Sequence, residues 1–119
     1  MIQHERREQI TVMQWAALHE CRYPELTLLH HTPNGGSRHA AEARYLKAAG
    51  VKPGIPDRSM PVARQGYHGL FIEMKAGKWK VSAIQQHMIE RLREQGNYVV
   101  VCHGADAAIE QLKWYLSIN

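Results

Sequence analysis

The sequence contains few of the residues that crosslink small proteins or anchor them in membranes. It has two cysteines, Cys21 and Cys102, which form no CxxC pair, so it predicts neither a disulfide framework nor a zinc knuckle. No apolar run approaches the roughly 20 residues that a membrane-spanning helix needs, and the amino terminus lacks the apolar core of a signal peptide. We therefore expect reduced, buried cysteines and a cytoplasmic protein.

Length and charge narrow the class of protein further. A chain of 119 residues usually builds one core, so we expect a single domain over residues 1–119. Hydrophobic residues make up 45% and charged residues 22%, as in ordinary globular proteins. Fifteen Lys and Arg against eleven Asp and Glu give a formal net charge of +4, which favours a polyanionic partner such as nucleic acid without establishing one.

Hydrophobic periodicity and the Gly and Pro positions predict alternating helices and strands. In chain order these are a helix over residues 4–21, a strand over 26–31, a helix over 37–50, strands over 57–63 and 68–76, a helix over 82–95, a strand over 97–103 and a final helix that includes residues 108–116. The short connection over 64–67 favours an antiparallel hairpin, and the β-α-β segment that follows favours a parallel pair. The predicted fold class is α/β, a mixed four-stranded sheet flanked by helices on both faces, in the order αβαββαβα.

The predicted strand over 68–76 carries two charged residues on one face. Side chains alternate along a strand, so Leu70, Ile72 and Met74 face one side while Glu73 and Lys75 face the other. Charges are costly on a strand that helices cover, so this placement calls for a partner or a bound ion. The alternative is a solvated ion pair on an edge strand.

Asp57 is the predicted partner of Glu73. In a hairpin that is symmetric about Gln65, Asp57 lies directly opposite Glu73, and carboxylates this close repel unless a cation lies between them. Oxygen ligands at this spacing suit Mg²⁺ or Mn²⁺, which keep several waters and bind substrate phosphate. Lys75 could then hold the attacking water and stabilise charge on the phosphate oxygens during phosphodiester hydrolysis.

Two polar residues on the helices are candidates for the same site. Gln85 falls on the inward row of its helix and could reach the sheet face of Glu73, but the form Ser82-x-x-Gln85 is also a capping box, and both interpretations are open. Glu8 lies beside the apolar rows of the first helix, where it could add a carboxylate or simply be a surface residue. One of His30 and His31 should also face the site.

Longer sequence motifs surround these residues and span nearly the whole chain. They are Glu8-Gln9, His31-Thr32-Pro33-Asn34-Gly35-Gly36, Gly54-Ile55-Pro56-Asp57, Pro61-Val62-Ala63, Gly66-Tyr67-His68-Gly69-Leu70-Phe71-Ile72-Glu73-Met74-Lys75, Val81-Ser82-Ala83-Ile84-Gln85 and Gly96-Asn97-Tyr98-Val99-Val100-Val101. Together they resemble the virus-type replication-repair nuclease (VRR-NUC) family of the PD-(D/E)XK nuclease superfamily. The resemblance implies a stand-alone, phage-type member with the restriction-endonuclease-like fold.

The resemblance also implies roles for individual residues. It makes Asp57 and Glu73 the metal-binding carboxylates of a Mg²⁺ or Mn²⁺ site, with the backbone carbonyl of Met74 as a further ligand. It makes Lys75 the catalytic lysine, Gln85 the motif glutamine of the following helix, and Glu8 the acidic residue of the first helix, a possible additional ligand. Two positions depart from the family pattern: Arg58-Ser59 follows Pro56-Asp57 where an apolar residue is usual, and Ala83 replaces a common proline.

Three groups of residues are candidate DNA contacts. Lys78, Trp79 and Lys80 follow Lys75 closely, and a tryptophan between two lysines could stack on a base while the ammonium groups meet phosphates. Asn34 and Arg38 lie in a polar loop that enters a helix, which suits a phosphate, although the adjacent glycines could serve only as a turn. Arg58 could face DNA instead of the core.

The sequence as a whole therefore predicts a metal-dependent endonuclease. Stand-alone members of the VRR-NUC family are similar to dimeric resolvases of four-way junctions, so we expect a homodimeric Holliday-junction resolvase that acts on branched double-stranded DNA. Two symmetric cuts require two active sites related by a two-fold axis. The alternatives are a flap or other structure-specific nuclease with the same site, and a non-catalytic DNA-binding module.

Overall fold

The computed structural model describes residues 3–33 and 39–119, and within these ranges the chain forms an α/β fold. The helices are α1 (Gln3–His19), α2 (Ala40–Ala48), α3 (Ala83–Glu94) and α4 (Ala105–Leu116), and the strands are β1 (His30–His31), β2 (Arg58–Met60), β3 (Leu70–Lys75) and β4 (Tyr98–His103). This is the predicted order αβαββαβα. A 3-10 helix over Pro24–Leu28 precedes β1.

The strands form one mixed sheet in the order β1-β2-β3-β4. The β2–β3 pair is antiparallel and the β3–β4 pair is parallel, as predicted, and β1 pairs antiparallel with β2. Gln65 and Gly66, at the centre of the hairpin turn, have φ values of 56° and 82°, the left-handed conformation of a type I′ turn. Arg58 pairs with Ile72, the register expected from symmetry about Gln65, whereas Arg64 pairs with Tyr67 across the turn. The first arm of the hairpin therefore has one residue more than the second between the turn and the ladder.

Helices cover both faces of the sheet. Leu70, Ile72 and Met74 of β3 are buried against the inward sides of α1 and α4, within one core cluster. Helix α3 lies on the other face of the sheet, where Gln85 reaches the carboxylate of Glu73. The alternation of side chains in β3 therefore separates a hydrophobic face from a polar one, as expected.

The segment after α1 differs from the prediction of a strand over residues 26–31. It forms the 3-10 helix and leaves a two-residue strand, β1. Pro24 stands in the first turn, where its fixed φ suits a helix and its missing N–H is not needed. Leu26 and Leu29 are buried while Leu28 is exposed, a spacing of three that suits a 3-10 turn and not the alternation of a strand.

Two other boundaries also differ from expectation. Strand β2 ends at Met60, well before the predicted residue 63, because Pro61 has no N–H to continue the ladder. Helix α2 begins at Ala40 with His39 as its N-cap, and residue 37, where this helix was predicted to begin, lies outside the described residues. Within residues 3–33 and 39–119, no helix has the length and apolar character needed to cross a membrane.

Candidate active site

Asp57 immediately precedes β2, beside the start of the sheet. Its carboxylate accepts hydrogen bonds from the Gln9 side-chain amide (Nε2 to Oδ2, 3.0 Å) and from the backbone N–H of Met74 (to Oδ1, 3.3 Å). Its backbone carbonyl accepts from the Thr32 N–H at 2.8 Å and from His31 Nδ1 at 2.9 Å. Asp57 is therefore held from α1, from β3 and from the segment that contains β1.

Glu73 lies in the middle of β3 and is only 5% exposed. Its Oε2 lies 3.5 Å from Nζ of Lys75 and accepts a hydrogen bond of 3.4 Å from Nε2 of Gln85. Lys75 stands two residues further along the strand, so both side chains project from the same face. The ammonium and the amide together offset the cost of burying the Glu73 charge.

Gln85 satisfies both interpretations that the sequence left open. Its Oε1 accepts from the backbone N–H of Ser82 at 2.9 Å, and its own backbone N–H donates to Oγ of Ser82 at 3.2 Å, which is a complete capping box at the start of α3. Its Nε2 meanwhile donates to Glu73. The oxygen of the Gln85 amide thus caps the start of α3 while its nitrogen binds Glu73 on the sheet.

The N–H that binds Asp57 comes from the peptide group that joins Glu73 to Met74. The Asp57 carboxylate is therefore bound to β3 at the peptide group next to Glu73, which agrees with the predicted position of Asp57 opposite Glu73 in the hairpin. The Met74 side chain is 1% exposed and belongs to the core cluster, so only its backbone is available to the site. The carboxylates of Asp57 and Glu73 would offer a cation oxygen donors of the kind that Mg²⁺ and Mn²⁺ prefer, and the backbone carbonyl of Met74 stays a predicted further ligand.

Among the described residues, no three His, Cys, Asp or Glu side chains come together as a metal-binding group. An ion held by Asp57 and Glu73 would complete its coordination with backbone, water or substrate oxygens, as Mg²⁺ commonly does. The residues present fit such an ion, because a carboxylate pair supplies the negative charge that attracts it and leaves positions for a phosphate.

Glu8 is bound at the amino terminus of α4. Its Oε2 accepts a hydrogen bond of 2.5 Å from the N–H of Ala105, where the helix dipole favours a negative charge. Glu8 also lines an open cleft at the ends of β3 and β4 whose walls include Gly77, His103 and Asp106. The structure therefore shows a structural contact for Glu8, and a role for it in metal binding remains a prediction.

Arg58 is buried, which contradicts the expectation that it faces DNA. It is 4% exposed and pairs with Ile72, so it lies on the core side of the sheet. Its Nη2 donates to the carbonyl of Gln9 at 3.4 Å and its Nη1 to the carbonyl of Asp57 at 3.5 Å, while its Nε has no hydrogen-bond partner among the described residues. Burial lowers the pKa of Arg58, and the nearby Asp57 charge opposes that shift.

The loop before Asp57 packs tightly on the first turn of α3. Gly54 has φ 86°, and a Cβ atom added there would lie 2.7 Å from Cγ2 and 2.8 Å from the carbonyl oxygen of Ile84. Pro56, between Gly54 and Asp57, is fully buried. Because Gln85 follows Ile84 in α3, this contact sets the position of Asp57 relative to the helix that carries Gln85.

The basic loop, residues 76–81, joins β3 to α3 and contains the candidate DNA contacts Lys78, Trp79 and Lys80. All three are exposed, Trp79 to 70%. The backbone N–H of Trp79 donates to the carbonyl of Ala76 at 3.1 Å, which closes a turn directly after Lys75. The loop therefore stands beside the candidate site with its aromatic ring in solvent. Asn34 and Arg38 lie outside the described residues.

Sequence reasoning missed the role of Gln9. This residue is 7% exposed although polar, and it shares an inward row of α1 with Val12 and Ala16. A polar residue on an apolar row was the signal that pointed to Gln85, and it applied equally here. His31, not His30, reaches Asp57, and burial is the main cause that lowers its pKa.

Comparison with known proteins identifies the family. The model of the VRR-NUC domain matches residues 2–106. A solved structure described as a VRR_NUC domain protein is 32% identical in sequence, with a TM-score of 0.81, and the match covers 100% of this chain and 93% of that one. No curated protein matches the chain. The protein therefore belongs to the VRR-NUC family of nucleases.

Proposed function

We propose that this protein is a metal-dependent DNA endonuclease that hydrolyses phosphodiester bonds in branched DNA, acting as a homodimeric Holliday-junction resolvase. The observation that carries the proposal is the assembly of Asp57, Glu73, Lys75 and Gln85, from three separate elements, at one end of the sheet. Charged side chains held together in a partly buried site are characteristic of active sites. A surface that only bound DNA would have no need of buried carboxylates.

Each residue of the site has a distinct task in the proposed reaction. Asp57 and Glu73 would hold Mg²⁺ or Mn²⁺, whose chemistry at such a site is the activation of water and the neutralisation of phosphate charge. The Lys75 ammonium, whose Nζ lies 3.5 Å from Oε2 of Glu73, would orient the attacking water and stabilise the negative charge that develops on the phosphate. Gln85 and Gln9 keep the two carboxylates in place.

The surroundings of the site support a nucleic-acid substrate. The formal net charge is +4, and the basic loop places two lysines and an exposed tryptophan next to the catalytic residues. Such a loop can contact phosphates and stack on a base where the duplex is interrupted. A resolvase makes paired cuts, which two copies related by a two-fold axis would provide. A DNA substrate also agrees with the cytoplasmic location expected from the sequence.

The test is cleavage of an end-labelled four-way junction beside linear duplex, flap and single-stranded controls, in Mg²⁺, Mn²⁺ or EDTA. We expect paired, metal-dependent nicks on the junction. Lys75→Ala should lower the cleavage rate at least about a hundredfold, the usual cost of losing a group that stabilises transition-state charge, while DNA binding persists. Lys52→Ala, which removes an exposed lysine, is the matched control and should cleave normally.

Three results would contradict parts of the proposal. Cleavage of flaps or single strands instead of junctions would keep the active site and reject the resolvase assignment. Tight DNA binding without cleavage in any metal would favour a non-catalytic module. A monomer in gel filtration, with and without the junction, would reject the paired-cut mechanism.

A further inference from the structure

The paired strands that carry the site diverge just beyond Lys75. In the parallel register Lys75 is the partner of His103, and these are the last residues of β3 and β4. Gly104 then turns β4 into α4 with φ 98°, and Gly77 turns β3 into the basic loop with φ 51°. From this point the two backbones separate, so the basic loop leaves the sheet where the ladder ends.

The imidazole of His103 spans the gap between the diverging strands. Its Nδ1 lies 2.8 Å from the carbonyl oxygen of Gly77. A carbonyl only accepts hydrogen bonds, so Nδ1 carries the proton and donates it, which fixes the tautomer of the neutral ring. This contact and the hydrogen bond from the Trp79 N–H to the Ala76 carbonyl together constrain the first half of the basic loop.

We infer that His103 is a positioning residue, whose Nδ1–H bond to Gly77 holds the basic loop so that Lys78, Trp79 and Lys80 meet DNA beside Lys75. The inference rests on the proposed function, because it assigns the loop to substrate binding. Trp79 is 70% exposed, and holding an exposed loop in one conformation before binding removes part of the entropic cost of ordering it on the substrate. The histidine therefore acts on substrate affinity through the loop.

Two conservative substitutions distinguish the contributions of the two nitrogens of the His103 ring. The amide nitrogen of Asn can occupy the place of Nδ1, so His103→Asn keeps the donor to Gly77 and removes Nε2. The amide of Gln reaches the place of Nε2, so His103→Gln does the reverse. We expect KM for junction cleavage near the wild-type value in His103→Asn, and about threefold to tenfold higher in His103→Gln and His103→Ala, the effect of one lost hydrogen bond. The value of kcat should stay within about twofold in all three.

A second measurement follows the loop without DNA. Hydrogen exchange in residues 76–81 should be faster in His103→Gln and His103→Ala than in the wild type, and should remain slow in His103→Asn. His87→Gln is the matched control, because His87 is exposed on α3 and lines a different cleft. It should change neither KM nor exchange in the loop.

The outcomes distinguish this inference from the proposed function. If the wild type cleaves DNA and His103→Gln has the KM and the loop exchange of the wild type, the inference is wrong and the nuclease assignment stands. If His103→Asn loses as much as His103→Gln, keeping the donor to Gly77 does not preserve substrate affinity, and the positioning role of the Nδ1–H bond is wrong. If the wild type cuts no DNA, the proposed function itself fails, while exchange in the loop still reports whether His103 holds it.

Discussion

Substitution of Gly54 by alanine tests whether the position of Asp57 depends on the contact between its loop and α3. A residue with a Cβ atom costs about 1 to 2 kcal/mol in the left-handed region, where Gly54 has φ 86°. The added atom would also lie 2.8 Å from the backbone oxygen of Ile84, and overpacking of this kind costs about a further 1 to 3 kcal/mol. We expect Gly54→Ala to lower the free energy of unfolding by about 2 to 5 kcal/mol.

Gly50→Ala is the matched control for backbone strain. Gly50 has φ 104°, yet a Cβ atom there would meet no other atom within 4 Å among the described residues. It should therefore lose only the backbone term of about 1 to 2 kcal/mol. Urea denaturation measures both free energies, provided that the slope with urea is unchanged.

Cleavage kinetics give the second half of the test. Gly54→Ala should displace Asp57 from Glu73 and reduce kcat strongly, since a shift of about 1 Å at an active site can cost about a hundredfold. Gly50→Ala should cleave as the wild type does. Equal losses of stability in the two variants, or a fully active Gly54→Ala, would refute the idea that the Gly54–Ile84 contact places Asp57.

Three further predictions concern the capping box and the thiols. Ser82→Ala removes the cap of α3 and should lower the free energy of unfolding, measured by urea denaturation, by about 1 kcal/mol. The cleavage rate should also fall, because the first turn of α3, which carries Gln85, becomes less ordered. An unchanged cleavage rate would show that this cap does not contribute to catalysis. Cys21 is exposed, so the expectation of two buried cysteines is wrong for it, whereas Cys102 is buried. Burial, with a smaller effect from Asp57, raises the pKa of Cys102 to about 12, so iodoacetamide at pH 8 should modify Cys21 alone. Labelling of Cys102 in the folded protein would contradict its burial. Since the unfolded chain releases the thiol proton first, stability should fall as pH rises from 9 towards 12, and this part of the fall should be absent in Cys102→Ala.

The sequence was sufficient for the pairing of β2, β3 and β4 because a few local signals determine it. The short connection at Gln65 and Gly66 specifies a hairpin, and the register of that hairpin with the alternation in β3 brings Asp57 close to Glu73. The same register places Arg58 on the core side, opposite Ile72. The departure from the family pattern, in which an apolar residue is usual at this position, suggested instead that Arg58 could face DNA, and the geometric signal was correct.

Other features depend on contacts that no local pattern encodes. The run around Leu26 and Leu29 has the composition of a strand, and only packing against the core decides for a 3-10 helix. The contact of Glu8 with the start of α4 joins residues almost a full chain length apart. The bond from His103 to Gly77 likewise exists only because the parallel register aligns the ends of β3 and β4.

The two-ended use of the Gln85 amide explains why glutamine, and not glutamate, suits this position. Either residue completes a capping box, so the helix alone would accept both. Glutamate, however, has no donor and would direct a second negative charge at the Glu73 carboxylate, now 3.4 Å from the amide nitrogen. Gln85→Glu, which replaces the amide nitrogen by an oxygen, would thus leave the start of α3 intact and introduce repulsion at Glu73. This single substitution would therefore separate the effect of the side chain on helix stability from its effect on the active site.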